Sequence, residues 1–350
     1  MKPEALVILI PGFAANDADS TCLPSQQSFI RMLKEKYPTL NIFVLAFQYP
    51  FVPTEYDLNG ARVIAFGGRG RSKLFRLLLW RKVWKKLKHI NSSQHIIGLL
   101  SFWCGECALV GHRFGKKYNI KQHCWIMGQD ARSGNKYVAK IKPAADELIA
   151  LSDFIQRGFE NNYGRRPQQV IPLGIDPAQF ATENIFRDID VLGAGSLIPL
   201  KQYDVFIEVI GRIKNQLPGI KAILYGKGPE ENKLRQLIEV NSLRDTITLA
   251  GELPHPKLLQ QMKRSRVFLH TSEYEGFGIV CIEALYAGAS VISFCKPMDK
   301  DIPHWHVVQT KEEMIQKAID LLKDNNTIYH SILPFTMQES VDGVMQLFGK

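Results

Sequence analysis

Glu273-Tyr274-Glu275-Gly276-Phe277-Gly278-Ile279-Val280-Cys281-Ile282-Glu283-Ala284-Leu285-Tyr286-Ala287-Gly288-Ala289-Ser290-Val291 is the stretch on which the reading of this chain turns. Gly276 and Gly278 carry no side chain, so the backbone there can approach a ligand closely. From about Gly278 the pattern becomes helical. A helix start leaves its first N–H groups without intrahelical acceptors, and such a terminus suits a phosphate. Glu275 precedes that helix and Glu283 lies about two turns inside it. At roughly 1.5 Å of rise per residue, the two carboxylates stand about 12 Å apart along the axis. That span matches a nucleotide-sugar, with sugar hydroxyls at one carboxylate and ribose hydroxyls at the other. Bare phosphate repels a carboxylate, so neither is placed on the diphosphate.

Outward from this junction, short apolar runs alternate with helical periodicity. In the second half, strands are expected at 189–195, 222–225, 246–250, 266–270 and 290–294. Helices are expected at 202–216, 229–240, 255–264 and 278–288. The first half repeats the theme, with strands at 6–10, 42–47, 95–100 and 122–127 and helices at 25–37 and 107–117. Alternation of this kind predicts parallel sheets flanked by helices. Residues 163–188 lack periodicity and carry Gly164, Pro167, Pro172, Gly174 and Pro177, which reads as a junction. The expected division is 1–170, 171–330 and a terminal helix within 331–350 that returns to the first domain. Two open α/β sheets in one chain make the cleft between them the expected active site.

The Glu-x7-Glu pair in its Glu-Gly-Phe-Gly…Glu-Ala…Ala-Gly frame resembles the retaining family 4 glycosyltransferases. Gly193-Ala194-Gly195-Ser196-Leu197-Ile198-Pro199-Leu200-Lys201 looks like that family's first donor loop. Tyr225-Gly226-Lys227-Gly228-Pro229 is similar to its second glycine loop, and Leu249-Ala250-Gly251-Glu252-Leu253 to the segment near the base. The resemblance covers 150–295 closely and 1–150 loosely. It implies two Rossmann-like domains facing a cleft, the GT-B fold, and a hexosyltransferase. The sugar would pass from a nucleotide-diphosphate donor, UDP or GDP in type, to an acceptor hydroxyl with retention of configuration.

It further implies that Glu275 contacts the transferred sugar and Glu283 the ribose. The backbone at Gly276, Phe277, Gly278 and Ile279 would hold phosphate and sugar, and Lys201 would neutralise the diphosphate. Gly226 and Lys227 join the donor set, and Gly12 would face it from the first domain. No metal and no cofactor are expected, since cationic side chains and helix ends take the phosphate charge in this fold.

The sequence departs from the family at two places. Ser196 stands where an Arg is usual, leaving Lys227 or Arg132 to supply the charge. Met127 stands where a His commonly precedes a Gly, and Asp130 and Arg132 are the nearest polar candidates for that catalytic place.

Charge is unevenly spread over the 350 residues. Residues 1–170 hold 25 Lys and Arg against 12 Asp and Glu, a net of +13, while the rest of the chain is at −3. The basic half suits a saccharide or lipid-linked acceptor in cell-surface polysaccharide or glycolipid synthesis. No nucleic-acid motif accompanies the charge. Residues 69–88 are densely basic with interleaved Leu, Trp and Val. They are able to dock on anionic headgroups, or to form a helix whose apolar stripe is core and whose lysines are solvated; the second reading is favoured. No signal peptide and no membrane span are read, so a cytoplasmic protein is expected, peripheral at most to the inner face of the membrane.

Six cysteines are too sparse for a disulfide framework. Cys104-Gly105-Glu106-Cys107 reads as two half-buried thiols rather than a metal site, which needs four ligands. Ile10-Pro11-Gly12 hints at an esterase oxyanion loop, but no Gly-x-Ser-x-Gly supplies a nucleophile. Two rival functions remain. One is a nucleotide-sugar epimerase or hydrolase of the same fold, and the other a non-catalytic module that reads glycan or lipid.

Overall fold

The computed structural model describes residues 2–70, 72–180, 185–324, 326–327 and 329–350. They form two compact units, Met1–Gly174 with Phe335–Lys350, and Ile175–Pro334. The division falls at Gly174 rather than 170. The Ser340 hydroxyl donates to the carbonyl of Pro172 at 2.7 Å and accepts the N–H of Gly174 at 2.9 Å, binding this segment to the first unit.

In the first unit the strands are β1 (Glu4–Gly12), β2 (Asn41–Tyr49), β3 (Thr54–Leu58), β4 (Ala61–Ala65), β5 (His95–Phe102), β6 (Gln122–Ile126), β7 (Leu148–Ala150) and β8 (Gln169–Val170). They lie in the order β3-β4-β2-β1-β5-β6-β7-β8 and pair in parallel except at β3–β4. The helices are α1 (Pro24–Lys36), α2 (Lys73–Ser93), α3 (Glu106–Tyr118), α4 (Lys136–Ile141) and α5 (Asp153–Tyr163). Ala5 to Ile10 are wholly buried, which requires cover on both faces of β1 and explains an unbroken apolar run where a one-sided strand would alternate. Val7, Leu9, Leu45 and Phe47 pack with Leu79, Val83 and Leu87 of α2 and Phe114 of α3. Elsewhere Phe29 of α1 sits edge-on to Phe102 and Trp125.

The helix Met337–Leu347 completes this unit. Thr336 and Glu339 form its capping box. The following Phe348 ring lies where any side chain at position 98 would stand, which explains Gly98 in the middle of β5.

The second unit holds β9 (Ile189–Ala194), β10 (Ala222–Tyr225), β11 (Ile247–Gly251), β12 (Ser265–His270), β13 (Ser290–Ser293) and β14 (Trp305–Val307). All neighbours pair in parallel, in the order β11-β10-β9-β12-β13-β14. Its helices are α6 (Tyr203–Lys214), α7 (Glu231–Val240), α8 (His255–Arg264), α9 (Ile279–Tyr286) and α10 (Lys311–Lys323). Counted from β9, this is the Rossmann strand order, and the direction of travel reverses between β9 and β12. The loops leaving those two strands at their carboxyl ends therefore part company and open a crevice.

Several elements are absent from the sequence reading. They include β7, β8, α4, α5 and α10, the edge strand β14, and the β3–β4 hairpin, closed by Asn59-Gly60 with positive φ at both residues. The thiols of Cys104 and Cys107 are buried completely rather than by half, and burial drives the Cys107 thiol well above its ordinary range.

Candidate active site

The crevice of the second unit is built by backbone before side chains enter. The N–H of Gly195, just after β9, donates to the carbonyl of Tyr225 at 3.0 Å, and that of Leu197 donates to Lys227 at 3.0 Å. The N–H of Gly226 donates to Gly251 at 2.8 Å, so the loops after β9, β10 and β11 are tied in series. Gly226 has φ +155°, and a Cβ there would strike the carbonyl oxygen of Gly195. Its glycine is thus required by the neighbouring loop, a reason independent of any ligand. Across the strand reversal, the Thr271 hydroxyl donates to the carbonyl of Lys201 at 2.8 Å, and the N–H of Glu273 donates to Leu200 at 3.2 Å.

These ties bring Lys201 and Glu275, 74 positions apart, into a direct ion pair between Nζ and Oε2. Lys201 ends a 3-10 turn at Pro199–Lys201. The Nε2 of His270, the last residue of β12, lies 3.3 Å from the same carboxylate oxygen. Burial pushes the Glu275 carboxyl up, but the imidazole of His270 and the charge of Lys201 more than offset it and hold the group at about 2. Burial lowers His270, aided by Lys201, so its ring is neutral beside an ionised Glu275.

Two buried polar atoms of this unit lack a hydrogen-bond partner among the described residues, His270 Nε2 and Ser272 Oγ. Both belong to the strand and loop that carry Glu275.

Gly278 takes the left-handed conformation, φ +75°, and caps α9, whose first turn begins at Ile279. Phe277 is only 1% exposed and anchors the turn. Glu283 lies on α9 and is 7% exposed. Its Oε1 is 2.8 Å from Nε2 of His255, the first residue of α8. His255 was not among the expected site residues. It follows β11 after three loop residues, and an isolated His carries no signal of its own.

The remaining expected residues divide. Ser196 and Lys227 are exposed on the tied loops, and the Lys227 side chain makes no hydrogen bond or ion pair among the described residues. In the first unit Gly12 ends β1, beside β5, at that sheet's own reversal of order. Asp130, expected at the catalytic place, is engaged by its own loop. Its buried carboxylate accepts the N–H of Met127 at 2.9 Å and closes the turn Gly128–Ala131, and burial raises it to about 6. A short polar loop readily uses its Asp to bind its own backbone, and here that use won. Arg132 is exposed. A cavity of the second unit, lined by Arg187, Arg266, Tyr286 and Tyr329 among others, lies at the amino ends of the strands, the edge opposite Lys201 and Glu275.

Residues 177–332 match the family described as Glycosyl transferases group 1. The chain is 28% identical over 209 residues to the phosphatidylinositol N-acetylglucosaminyltransferase gpi3 subunit of Schizosaccharomyces pombe, a match covering 57% of this chain and 45% of that relative. The match thus spans less than half of the relative's own length. Among solved structures, sucrose-phosphate synthase from Thermosynechococcus elongatus superposes with a TM-score of 0.71 at 14% identity, over 99% of this chain and 95% of that one. HepE of Anabaena, in complex with UDP and glucose, gives 0.66 at 16% identity over 98% and 94%. At such identities the likeness is one of fold. The group 1 match lies on the unit that carries the Lys201–Glu275 pair, so that unit is similar to the group 1 glycosyltransferases, and the chain has the GT-B fold.

Proposed function

We propose that the chain moves a sugar from a nucleoside-diphosphate donor to an acceptor hydroxyl, with retention of configuration at the anomeric carbon. The observation that carries this reading is the Lys201–Glu275 pair at the β9–β12 reversal, beside the start of α9. The donor's diphosphate meets Lys201 and the first N–H groups of α9 at Gly278 and Ile279, which take its charge without a metal ion. Glu275, ionised throughout the physiological range, accepts hydrogen bonds from hydroxyls of the transferred sugar. Glu283, oriented by His255, accepts those of the ribose. A carboxylate held by a fixed partner loses less freedom when a ligand binds.

In the reaction the bond from the anomeric carbon to the phosphate oxygen breaks as the acceptor oxygen bonds to that carbon on the same face. The acceptor's proton passes to the departing phosphate oxygen. As negative charge grows on the leaving diphosphate, Lys201 stabilises it. No enzyme nucleophile is needed. The UDP bound to HepE and the name of the fission-yeast relative support a donor of the UDP type and a lipid-linked acceptor in glycolipid or cell-surface polysaccharide synthesis.

Labelled UDP-sugar and GDP-sugar donors, incubated with candidate acceptors, test the proposal. Donor-dependent labelling of the acceptor, lost in a folded Glu275→Gln variant, is expected. Unchanged turnover in that variant overturns the role of Glu275, and full donor conversion with no acceptor present overturns the transfer reaction.

A further inference from the structure

The outer face of α2 divides into an apolar end and a cationic end, and we propose that this face seats the first unit on an anionic phospholipid bilayer. The sequence reading favoured a core stripe with solvated lysines. The structure splits the stripe. Leu79, Val83, Leu87 and Ile90 enter the core at helical spacing, as that reading expects. Leu74, Leu77 and Leu78 lie on the other side and are 77%, 52% and 52% exposed. Continuing along that outer face by three- and four-residue steps come Arg81, Lys82, Lys85 and Lys88, all exposed. These four make no ion pair among the described residues. Arg71 lies outside the described residues.

The inner face is already complete. The indole N–H of Trp80 donates to Glu106 at 2.8 Å, Arg76 lies within 3.9 Å of Glu106 and hydrogen-bonds Tyr137, and Trp84 packs edge-on to Phe114. The three leucines therefore add nothing to the fold, and their exposure in one patch calls for an apolar neighbour. More apolar surface stands at the same end. Phe51 and Val52, 53% and 63% exposed, sit in the loop after β2, and Arg69, in the segment leading into α2, donates to the carbonyl of Phe51 at 2.9 Å. Beside them runs a groove with Phe66, Phe75 and Leu78 as its floor and Arg81, Lys82 and Lys85 on its rim.

An apolar surface bordered by cations, on a helix with no acidic residue, fits a layer with hydrocarbon below and phosphate above. A protein partner would have to supply acidic residues opposite Arg81, Lys82, Lys85 and Lys88 and apolar ones opposite the leucines, which an anionic bilayer supplies at once. The leucines start α2 at the carboxyl edge of the sheet, the edge that also bears Gly12. Seating there brings a lipid-linked acceptor to the unit without a spanning segment, and no described helix is long and apolar enough to cross a membrane.

Co-sedimentation of the full chain with vesicles tests this independently of the transfer reaction. One set is phosphatidylcholine alone and the other carries a quarter phosphatidylglycerol, both at low salt. The chain is expected to pellet with the anionic set and to be released by salt. Arg81→Glu/Lys82→Glu/Lys85→Glu should weaken partitioning about a hundredfold, and Leu77→Ser/Leu78→Ser about tenfold, with far-UV dichroism and melting temperature unchanged in both. A wild-type chain that stays in the supernatant with both sets overturns the proposal. So does equal pelleting of wild type and both variants, or self-association through Leu77 and Leu78 without vesicle binding.

Discussion

Lys201 donates to the Glu275 carboxylate across the point where the strand order of the second unit reverses, so the crevice holds a balanced charge pair. Removing one partner leaves the other half-buried and unpaired. Lys201→Ala is expected to lower stability by about 2 kcal/mol, read by urea denaturation, and to abolish most donor turnover. Glu275→Gln keeps the shape but leaves the Lys201 charge without its carboxylate, so it is expected to cost about 1–2 kcal/mol while turnover falls by about a hundredfold or more. Turnover measured well below both melting temperatures separates folding from chemistry.

The same pair governs behaviour in acid. Glu275 sits at about 2 in the folded chain, below the ordinary value of 4.5, so the unfolded state binds its proton more readily. Its contribution to stability is fully present above about pH 4.5 and is lost as pH falls toward 2. Lys201→Met lets the carboxyl rise, and the acid unfolding limb should move to higher pH. Melting temperatures taken between pH 3 and 7 read this directly.

Asp130 has the opposite sign. Its folded value, about 6, lies above the ordinary 3.8, so the fold binds the proton more tightly than the unfolded chain does. Stability from this group is present below about pH 3.8 and declines as pH rises through 6. Asp130→Asn should flatten the melting temperature between pH 4 and 7 and leave turnover within about twofold of wild type. A large loss of turnover in that folded variant would restore Asp130 to the chemistry.

His255 and Glu283 are expected to act on nucleotide affinity. Glu283→Ala should weaken UDP binding by about tenfold or more in calorimetry, since it removes a charged acceptor. His255→Ala should weaken it less and chiefly through orientation, with His255→Gln recovering part of the loss. Equal affinity in all three variants would detach the pair from the donor.

Gly226→Ala tests the stitching of the loops. The added methyl meets the Gly195 carbonyl in a backbone conformation that L side chains avoid. A loss of more than about 3 kcal/mol is expected, without any ligand present, measured by urea denaturation.

The alternation of strands and helices was legible because parallel strands covered on both faces leave unbroken apolar runs. The strands 222–225 and 189–194 and the helix 255–264 lie where those runs and their spacing put them. The loop-to-helix junction at 275–283 was legible through glycine and charge spacing. His255 and His270 were not, because each is an isolated histidine whose partner is 28 or 5 positions away, and only the crossing of loops reveals the match. Asp130 shows the converse case. A polar residue in a loop reads alike whether it faces a ligand or its own backbone. The Asn59-Gly60 turn was a local signal present in the sequence and left unused, whereas β14 is three residues long and has no periodicity to show.

The return of Met337–Leu347 to the first unit has a bearing on biogenesis. During synthesis the strands and helices of 175–334 are all available before Phe348 can fill the space left by Gly98. The second unit's sequence thus leaves the ribosome ahead of the last helix of the amino-terminal sheet. A chain released shortly after residue 334 would carry a finished carboxyl unit beside an amino-terminal one with an open seam, a natural target for proteolysis.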